Sequence, residues 1–160
     1  MKNIITVLFC FFILGAYAQD EFINNVKLSR VELRKDIIAK GLKYDGTKTT
    51  YFQYSEKDQH KAIEIAVFLR DNYHFFFDGT YAESKVSVEV YDLTPENPNR
   101  LLLYEIKNIS GKKVNISMEE IMKRYLSYGG DPETLNSLHI NYIIKSAKQN
   151  RGAVTLSLGF

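Results

Sequence analysis

The sequence predicts a mainly β protein: an antiparallel β-sandwich of seven or eight strands with two short helices. First, apolar and polar residues alternate in many short runs, which is the two-residue period of a strand with one buried face. Second, turn-forming residues separate these runs at short intervals. Third, the two helical segments do not alternate regularly with the strands, as the helices of a βαβ fold would.

The alternation is clearest in residues 62–91. Three runs there, 62–70, 73–77 and 86–90, are separated by turn residues at 71–72 and 78–80, which predicts an antiparallel meander. In the middle run Phe75 and Phe77 point one way and Phe76 points the other. Because both faces carry a bulky apolar group, this run is predicted to be a central strand that is covered on both sides.

The remaining strands are predicted from the same pattern and from their content of strand-forming residues. A polar loop that contains His60 is expected at 56–61. Two prolines exclude regular structure from 94–99. The last two strands are expected to form a closing hairpin around a turn at Asn150-Arg151-Gly152. The predicted strands are 44–54, 101–106, 114–118, 138–145 and 154–160.

Each predicted helix follows a capping-box pattern, a serine with a glutamate three residues later. Ser29 and Glu32 predict a helix over 30–40, with Gly41 as its C-terminal cap. Ser117 and Glu120 predict a second helix that ends near Gly129-Gly130. A helix of about three turns is not stable alone, so the first is expected to lie on a sheet.

The N-terminus has the pattern of a secretory signal peptide. Lys2 precedes an uncharged apolar run at 4–14, and small residues, Ala16 and Ala18, occupy the positions that a signal peptidase reads. The run is too short for a membrane anchor. Cleavage is therefore expected between Ala18 and Gln19. Lipid attachment at Cys10 is disfavoured because Phe9 precedes it, where a small residue is required.

Removal of residues 1–18 from the 160-residue chain leaves one predicted domain, 19–160, which contains no cysteine. Stability must then come from a packed core, and a chain of this length buries enough surface for one. The net charge of +2 falls to +1 with the loss of Lys2. Such a balance gives no general attraction to nucleic acid or to anionic membranes.

No metal, cofactor or catalytic site is predicted. The three histidines, His60, His74 and His139, are far apart in sequence and form no local ligand cluster. Asp71, Asp78 and Asp92 lie at predicted strand ends, where loop oxygens can hold calcium, but aspartates at such positions also form turns without any ion. The serines show no Gly-x-Ser-x-Gly motif, and the predicted mature chain has no thiol. An enzyme is therefore not expected.

Tyrosines are the remaining functional signal. Exposed tyrosines on a rigid sandwich can bind a sugar or a protein partner, since each ring is apolar and carries a polar hydroxyl. The alternative is ordinary packing between strands, where tyrosine is common. The candidate partner-binding residues are Tyr44, Tyr51, Tyr54 and Tyr81.

Several of these segments resemble known secreted proteins. The strands at 73–77, 86–92, 141–144 and 152–156 are similar to the jelly-roll sandwich of bacterial pre-peptidase C-terminal domains. The segment 43–52, with Lys-Tyr-Asp followed by Lys-Thr-Thr-Tyr-Phe, resembles small secreted Bacteroidetes-type proteins. The resemblance covers about the last two-thirds of the chain, and it implies a sandwich without bringing a catalytic residue.

The function predicted from these observations is that of an exported, non-enzymatic binding or adaptor module in the periplasm or at the cell surface. Its partner would be a protein or a glycan, with no membrane insertion after signal removal. A small outer-membrane β-barrel is the alternative, because Val154, Leu156, Leu158 and Phe160 alternate as a closing barrel strand would. An accessory domain of a hydrolase is a further alternative.

Overall fold

The computed structural model describes residues 2–67 and 72–160, and describes side chains for 21–53, 55–67, 72–146 and 151–160. Over these residues the fold is mainly β, as predicted, with eight strands and two α-helices. In chain order the elements are α1 (Lys2–Ala39), β1 (Tyr44–Ser55), β2 (Gln59–Ala66), β3 (His74–Asp78), β4 (Val86–Tyr91), β5 (Leu102–Ile106), β6 (Lys113–Ser117), α2 (Met118–Ser127), a 3-10 turn (Pro132–Thr134), β7 (Ser137–Ile144) and β8 (Ala147–Gly159).

The strands form two open four-stranded sheets that pack face to face. Sheet I has the order β1-β8-β3-β6, sheet II has the order β2-β7-β4-β5, and all pairs are antiparallel. This is the arrangement of a jelly roll, in which two Greek keys are folded over one core. The predicted sandwich is therefore confirmed.

Two predicted pairings are wrong. The strands of the predicted meander do not pair with one another, because β2 and β4 flank β7 in sheet II whereas β3 lies between β8 and β6 in sheet I. Alternation fixes which residues share a face, but it does not identify the neighbouring strand. The turn predicted at 71–72 includes Asp71, which lies outside the described residues, as do 68–70 of the preceding run.

The predicted closing hairpin is also absent from the described chain. β7 pairs with β2 and β4, whereas β8 pairs with β1 and β3. The residues predicted to form the turn lie inside β8, where Arg151 is opposite Gln53 and Gly152 is opposite Phe52. Similarly, His60 belongs to β2 and not to a polar loop, since it is opposite Ile143.

Strand β3 is covered on both faces, as predicted. Phe75 and Phe77 are fully buried in the core between the two sheets. Phe76 points the opposite way and is buried against Leu33 and Ile37 of α1. The apolar face of α1 therefore packs on the outer face of sheet I.

Helix α1 differs from the prediction in its length. It is a single helix of 38 residues, so it does not begin at the capping box predicted at Ser29. The Ser29 hydroxyl instead donates to Asp78 Oδ2 at 2.6 Å, and both side chains are buried. This bond gives Asp78 a partner under the helix, where an unpaired carboxylate would be costly. Lys113 also pairs with Glu32 and Asp36 at 3.2 and 3.6 Å.

The second capping box is confirmed. The Glu120 amide donates to Ser117 Oγ at 3.3 Å, and the Ser117 amide donates to Glu120 Oε2 at 2.8 Å. Helix α2 buries Met118, Ile121 and Tyr125 against the end of the sandwich. Gly129 follows the helix with a φ of +79°, a left-handed conformation that suits glycine.

The double-sided burial of β3 gives a stability test. We expect Phe75→Ala to lower the free energy of unfolding by about 3–5 kcal/mol, because it leaves a large cavity in the inter-sheet core. The matched control is Tyr128→Ala at the C-terminal cap of α2, where the residue is 44% exposed, and it should change the free energy by no more than about 0.5 kcal/mol. Chemical denaturation measures both, and equal midpoints for the two variants would contradict the assigned core.

Candidate functional site

The candidate site lies where the outer face of sheet I meets the first described side chains of α1. Tyr51 and Gln53 alternate with Phe52 along β1, so they point away from the core on the helix side. Phe22 of α1 forms the opposite wall. The resulting cleft has a volume of about 420 Å³ and is lined by Phe22, Ile23, Tyr51, Phe52, Gln53, Arg151 and Gly152.

Aromatic and cationic groups are in contact around this cleft. The rings of Phe22 and Tyr81 meet edge to face, with centroids 6.4 Å apart and an interplanar angle of 87°. Arg151 Cζ lies 4.8 Å from the centroid of the Phe22 ring, within range of a cation–π interaction. Tyr51 is 45% exposed and presents its ring to solvent. The cleft therefore combines an open aromatic ring with a positioned guanidinium group.

The floor of the cleft depends on a glycine. Phe52 is buried, and its ring lies directly against the backbone of Gly152, its cross-strand neighbour. A Cβ atom at position 152 would collide with Phe52 Cε2 and Cζ. Gly152 is therefore needed for the close approach of the ring and does not form a turn.

A second cleft adjoins the first on the other side of β1. It has a volume of about 510 Å³ and is lined by Tyr51, Phe52, Gln53, Ser55, Gln59 and Lys61. The Gln59 side chain donates through Nε2 to the Gln53 carbonyl at 2.7 Å, which ties β2 of sheet II to the end of β1 in sheet I. Tyr51, Phe52 and Gln53 line both clefts, and we call the combined surface the β1 trough.

The chemistry of the β1 trough suits binding. Among the described side chains, its lining contains aromatic rings, side-chain amides, the hydroxyls of Tyr51 and Ser55, and the cations of Arg151 and Lys61. These groups stack, donate hydrogen bonds and attract anions.

The structure brings two of the four candidate tyrosines to the β1 trough. Tyr51 lines both clefts, and Tyr81 contacts the Phe22 wall. Tyr44 lies at the other end of β1, about 23 Å away at 3.3 Å per residue. There its hydroxyl donates to Thr47 Oγ1 at 3.0 Å, and Arg34 lies 5.1 Å from its ring centroid. The side chain of Tyr54 lies outside the described residues, as do those of Ala16, Ala18 and Gln19.

Sequence reasoning missed most of the trough. Gln59 was predicted to lie in a loop, Arg151 and Gly152 were assigned to a turn, and Phe22 was not singled out. Residues 147–152 carry no alternating apolar side chains, so the pattern does not indicate that β8 begins at Ala147. The sequence carries no local signal that brings Phe22 next to Arg151, since the two residues are 129 positions apart.

A second polar cluster lies on the outer face of sheet II. Glu89 Oε2 accepts hydrogen bonds from the Tyr91 hydroxyl at 3.0 Å and from Asn141 Nδ2 at 3.2 Å. Arg100 Cζ lies 4.0 Å from the Tyr91 ring centroid. Burial, followed by the hydrogen bond to Glu89, raises the pKa of Tyr91 above its usual value. The hydrogen bonds of Glu89 to Tyr91 and Asn141 explain the cluster as a structural link between β4 and β7.

The described residues contain no group of three or more histidine, cysteine, aspartate or glutamate side chains that could hold a metal ion. Within the same part of the chain, no helix is long and apolar enough to cross a membrane.

No family model matches this chain, and no curated protein matches it. Among solved structures, it is similar to a carbohydrate-binding module of endoglucanase Cel5A from Eubacterium cellulosolvens, with 13% identity, coverage of 74% of this chain and 96% of that chain, and a TM-score of 0.40. A Bacillus endospore appendage protein is 6% identical over 74% of this chain and 88% of its own, with a TM-score of 0.36. TmCBM61, solved with beta-1,4-galactotriose, is 12% identical, with coverage of 73% of this chain and 85% of that chain and a TM-score of 0.35. Scores this low carry no argument about ligand or activity.

The contact between Phe52 and Gly152 can be tested directly. We expect Gly152→Ala to lower the free energy of unfolding by about 1–3 kcal/mol, because the new methyl group must displace the buried ring. Gly46→Ala on the same β1–β8 pair is the control, since a Cβ there meets no heavy atom of the described chain within 4 Å. Thermal denaturation compares them, and equal stability of the two variants would refute the close approach.

Proposed function

We propose that this chain is an exported, non-enzymatic β-sandwich module that binds a glycan, in the periplasm or at the cell surface, through the β1 trough. The observation that carries the proposal is the exposed Tyr51 ring beside the amide of Gln53 and the guanidinium of Arg151. A sugar ring has an apolar face that stacks on an aromatic ring and hydroxyl groups that hydrogen-bond to planar amide and guanidinium groups.

The shape of the site favours a glycan over a protein partner. A volume of about 420 Å³ is within the range of pockets that hold small ligands. A stable protein interface buries roughly 800 Å² on each partner and is usually built around a broad patch. The trough is instead concave and is assembled on paired strands, a support that limits the entropy lost when a ligand binds. A protein partner remains the second possibility and is an outcome of the test below.

Export is proposed from the N-terminal pattern alone. The basic residue, the apolar run and the small residues at Ala16 and Ala18 together suit a signal peptidase. The mature chain would begin at Gln19, three residues before Phe22. Helix α1 would then keep the described side chains that cover sheet I and form the wall of the trough.

Processing is tested by the intact mass of the protein from cells that express the full chain. We expect a mass that corresponds to residues 19–160, because Ala16 and Ala18 fit the peptidase pockets. Ala18→Leu should block cleavage, whereas Ala39→Leu, beyond the predicted site, should leave it unchanged. A mature protein that retains Met1, or that carries a lipid on Cys10, would contradict the proposal.

Glycan binding is tested with Tyr51→Ala. The probes are β-1,4-linked glucan, xylan, mannan and galactan oligomers, measured by calorimetry on protein purified from cells that express the full chain. We expect at least one probe to bind and Tyr51→Ala to weaken it by about tenfold or more, or roughly 1.4 kcal/mol, through loss of ring stacking.

Tyr128→Ala is the control, because Tyr128 is about equally exposed but caps the C-terminus of α2 and does not line the trough. It should leave the affinity unchanged, and neither variant should shift the melting temperature by more than a few degrees. If no probe binds, or if both variants bind as the parent does, the glycan proposal fails. Tyrosine-dependent capture of a defined protein would then favour the protein partner.

A further inference from the structure

The arrangement of the two clefts bears on the length of the ligand. Each cleft is large enough by itself for a small ligand. They are not separate sites, because the same three consecutive residues, Tyr51 to Gln53, line both. A ligand in one cleft therefore contacts the residues that also line the other.

The two clefts lie on different parts of the sandwich. The first is bounded by α1 and β8 on the outer face of sheet I, at Phe22 and Arg151. The second is bounded by β2 of sheet II, at Gln59 and Lys61. Because β1 is an edge strand of sheet I and β2 is an edge strand of sheet II, the β1 trough runs over the edge of the sandwich.

Two structural features fix the position of the β1 trough at the edge of the sandwich. The register of β1 with β8 shifts between Gln53 and Ser55, where a step of two residues along β1 corresponds to a step of four residues along β8, from Arg151 to Ala147. Such irregularities bend a strand and end its regular pairing. On the other side, the bond from Gln59 Nε2 to the Gln53 carbonyl fixes β2 against β1. The second cleft therefore lies directly beside the first.

From this geometry we infer that the β1 trough binds a linear oligosaccharide across Tyr51, with a second subsite at Gln59 and Lys61. This inference rests on the proposed function and specifies the form of the glycan. One sugar ring stacks on Tyr51, and the chain continues in both directions, towards Arg151 and towards Lys61. The amide of Gln59 and the ammonium of Lys61 donate hydrogen bonds to hydroxyl groups, as side chains of these types do.

The test is the dependence of affinity on chain length. It uses β-1,4-linked glucan, xylan, mannan and galactan oligomers of two, four and six sugars, with calorimetry on protein purified from cells that express the full chain. In the series that binds, we expect the six-sugar oligomer to bind at least about tenfold more tightly than the two-sugar oligomer. A disaccharide fills one subsite, whereas a longer chain reaches both.

Variants test whether the second cleft causes the increase in affinity with chain length. Lys61→Ala should remove at least half of the length-dependent gain in binding free energy while leaving disaccharide affinity unchanged. Gln59→Ala, which also removes the bond to the Gln53 carbonyl, should reduce the same gain, and Tyr51→Ala should weaken all lengths. Lys48→Ala is the matched control, since this exposed β1 lysine does not line the trough. Melting temperatures verify that each variant is folded, and Lys61→Gln replaces Lys61→Ala if the alanine variant is not.

The outcomes separate the inference from the proposed function. Affinity that depends on Tyr51 but not on chain length would overturn the second subsite and leave the glycan module standing. A length effect that survives Lys61→Ala and Gln59→Ala would likewise overturn the assigned path. Failure of every oligomer to bind would overturn the proposed function and the inference together.

Discussion

Strand β3 must bury large apolar side chains on both of its faces, and the rest of the fold follows from that requirement. Phe75 and Phe77 need a second sheet opposite them, which sheet II supplies. Phe76, on the other face, needs a separate cover, which α1 supplies through Leu33 and Ile37. A two-layer sandwich alone would leave Phe76 in water, so the helix is an integral part of the structure.

Helix α1 therefore has two roles. Its middle and C-terminal parts complete the fold through apolar contacts and through the buried bond from Ser29 to Asp78. Its preceding part contributes Phe22, which forms a wall of the β1 trough and contacts Tyr81 and Arg151. The helix that buries Phe76 also positions the Phe22 ring at the candidate site. The fold and the site therefore both depend on the packing of α1 against sheet I.

The candidate site shows why a jelly roll can build a binding surface from distant segments. Antiparallel pairing places Arg151 opposite Gln53, although the two are nearly 100 positions apart. The absence of a side chain at Gly152 lets the Phe52 ring lie against the backbone there. The resulting trough is held by main-chain ladders on one side and by the bond from Gln59 to the Gln53 carbonyl on the other. Such support keeps the ring of Tyr51 in a defined position.

The sequence by itself determined the fold class, most strands, the central position of β3 and the second capping box. These features depend on local periodicity, on capping within four residues, or on the directions of adjacent side chains, all of which can be read along the chain. It also identified Tyr51 and Tyr81 as candidates, although it grouped them with Tyr44, which lies at the far end of β1. It did not predict that α1 continues through Ser29 or that β8 continues through Gly152.

Only the tertiary structure decided which strands pair, where Ser29 directs its hydroxyl, and which residues line the trough. Alternation gives each strand a buried face but leaves its neighbour unspecified, because any strand of the same period offers the same backbone ladder. The choice of partner comes from packing of the whole core, in which β7 and β8 belong to opposite sheets. Phe22, Gln59 and Arg151 meet at Tyr51 only after that choice is made, and for this physical reason the site could not be read from the sequence.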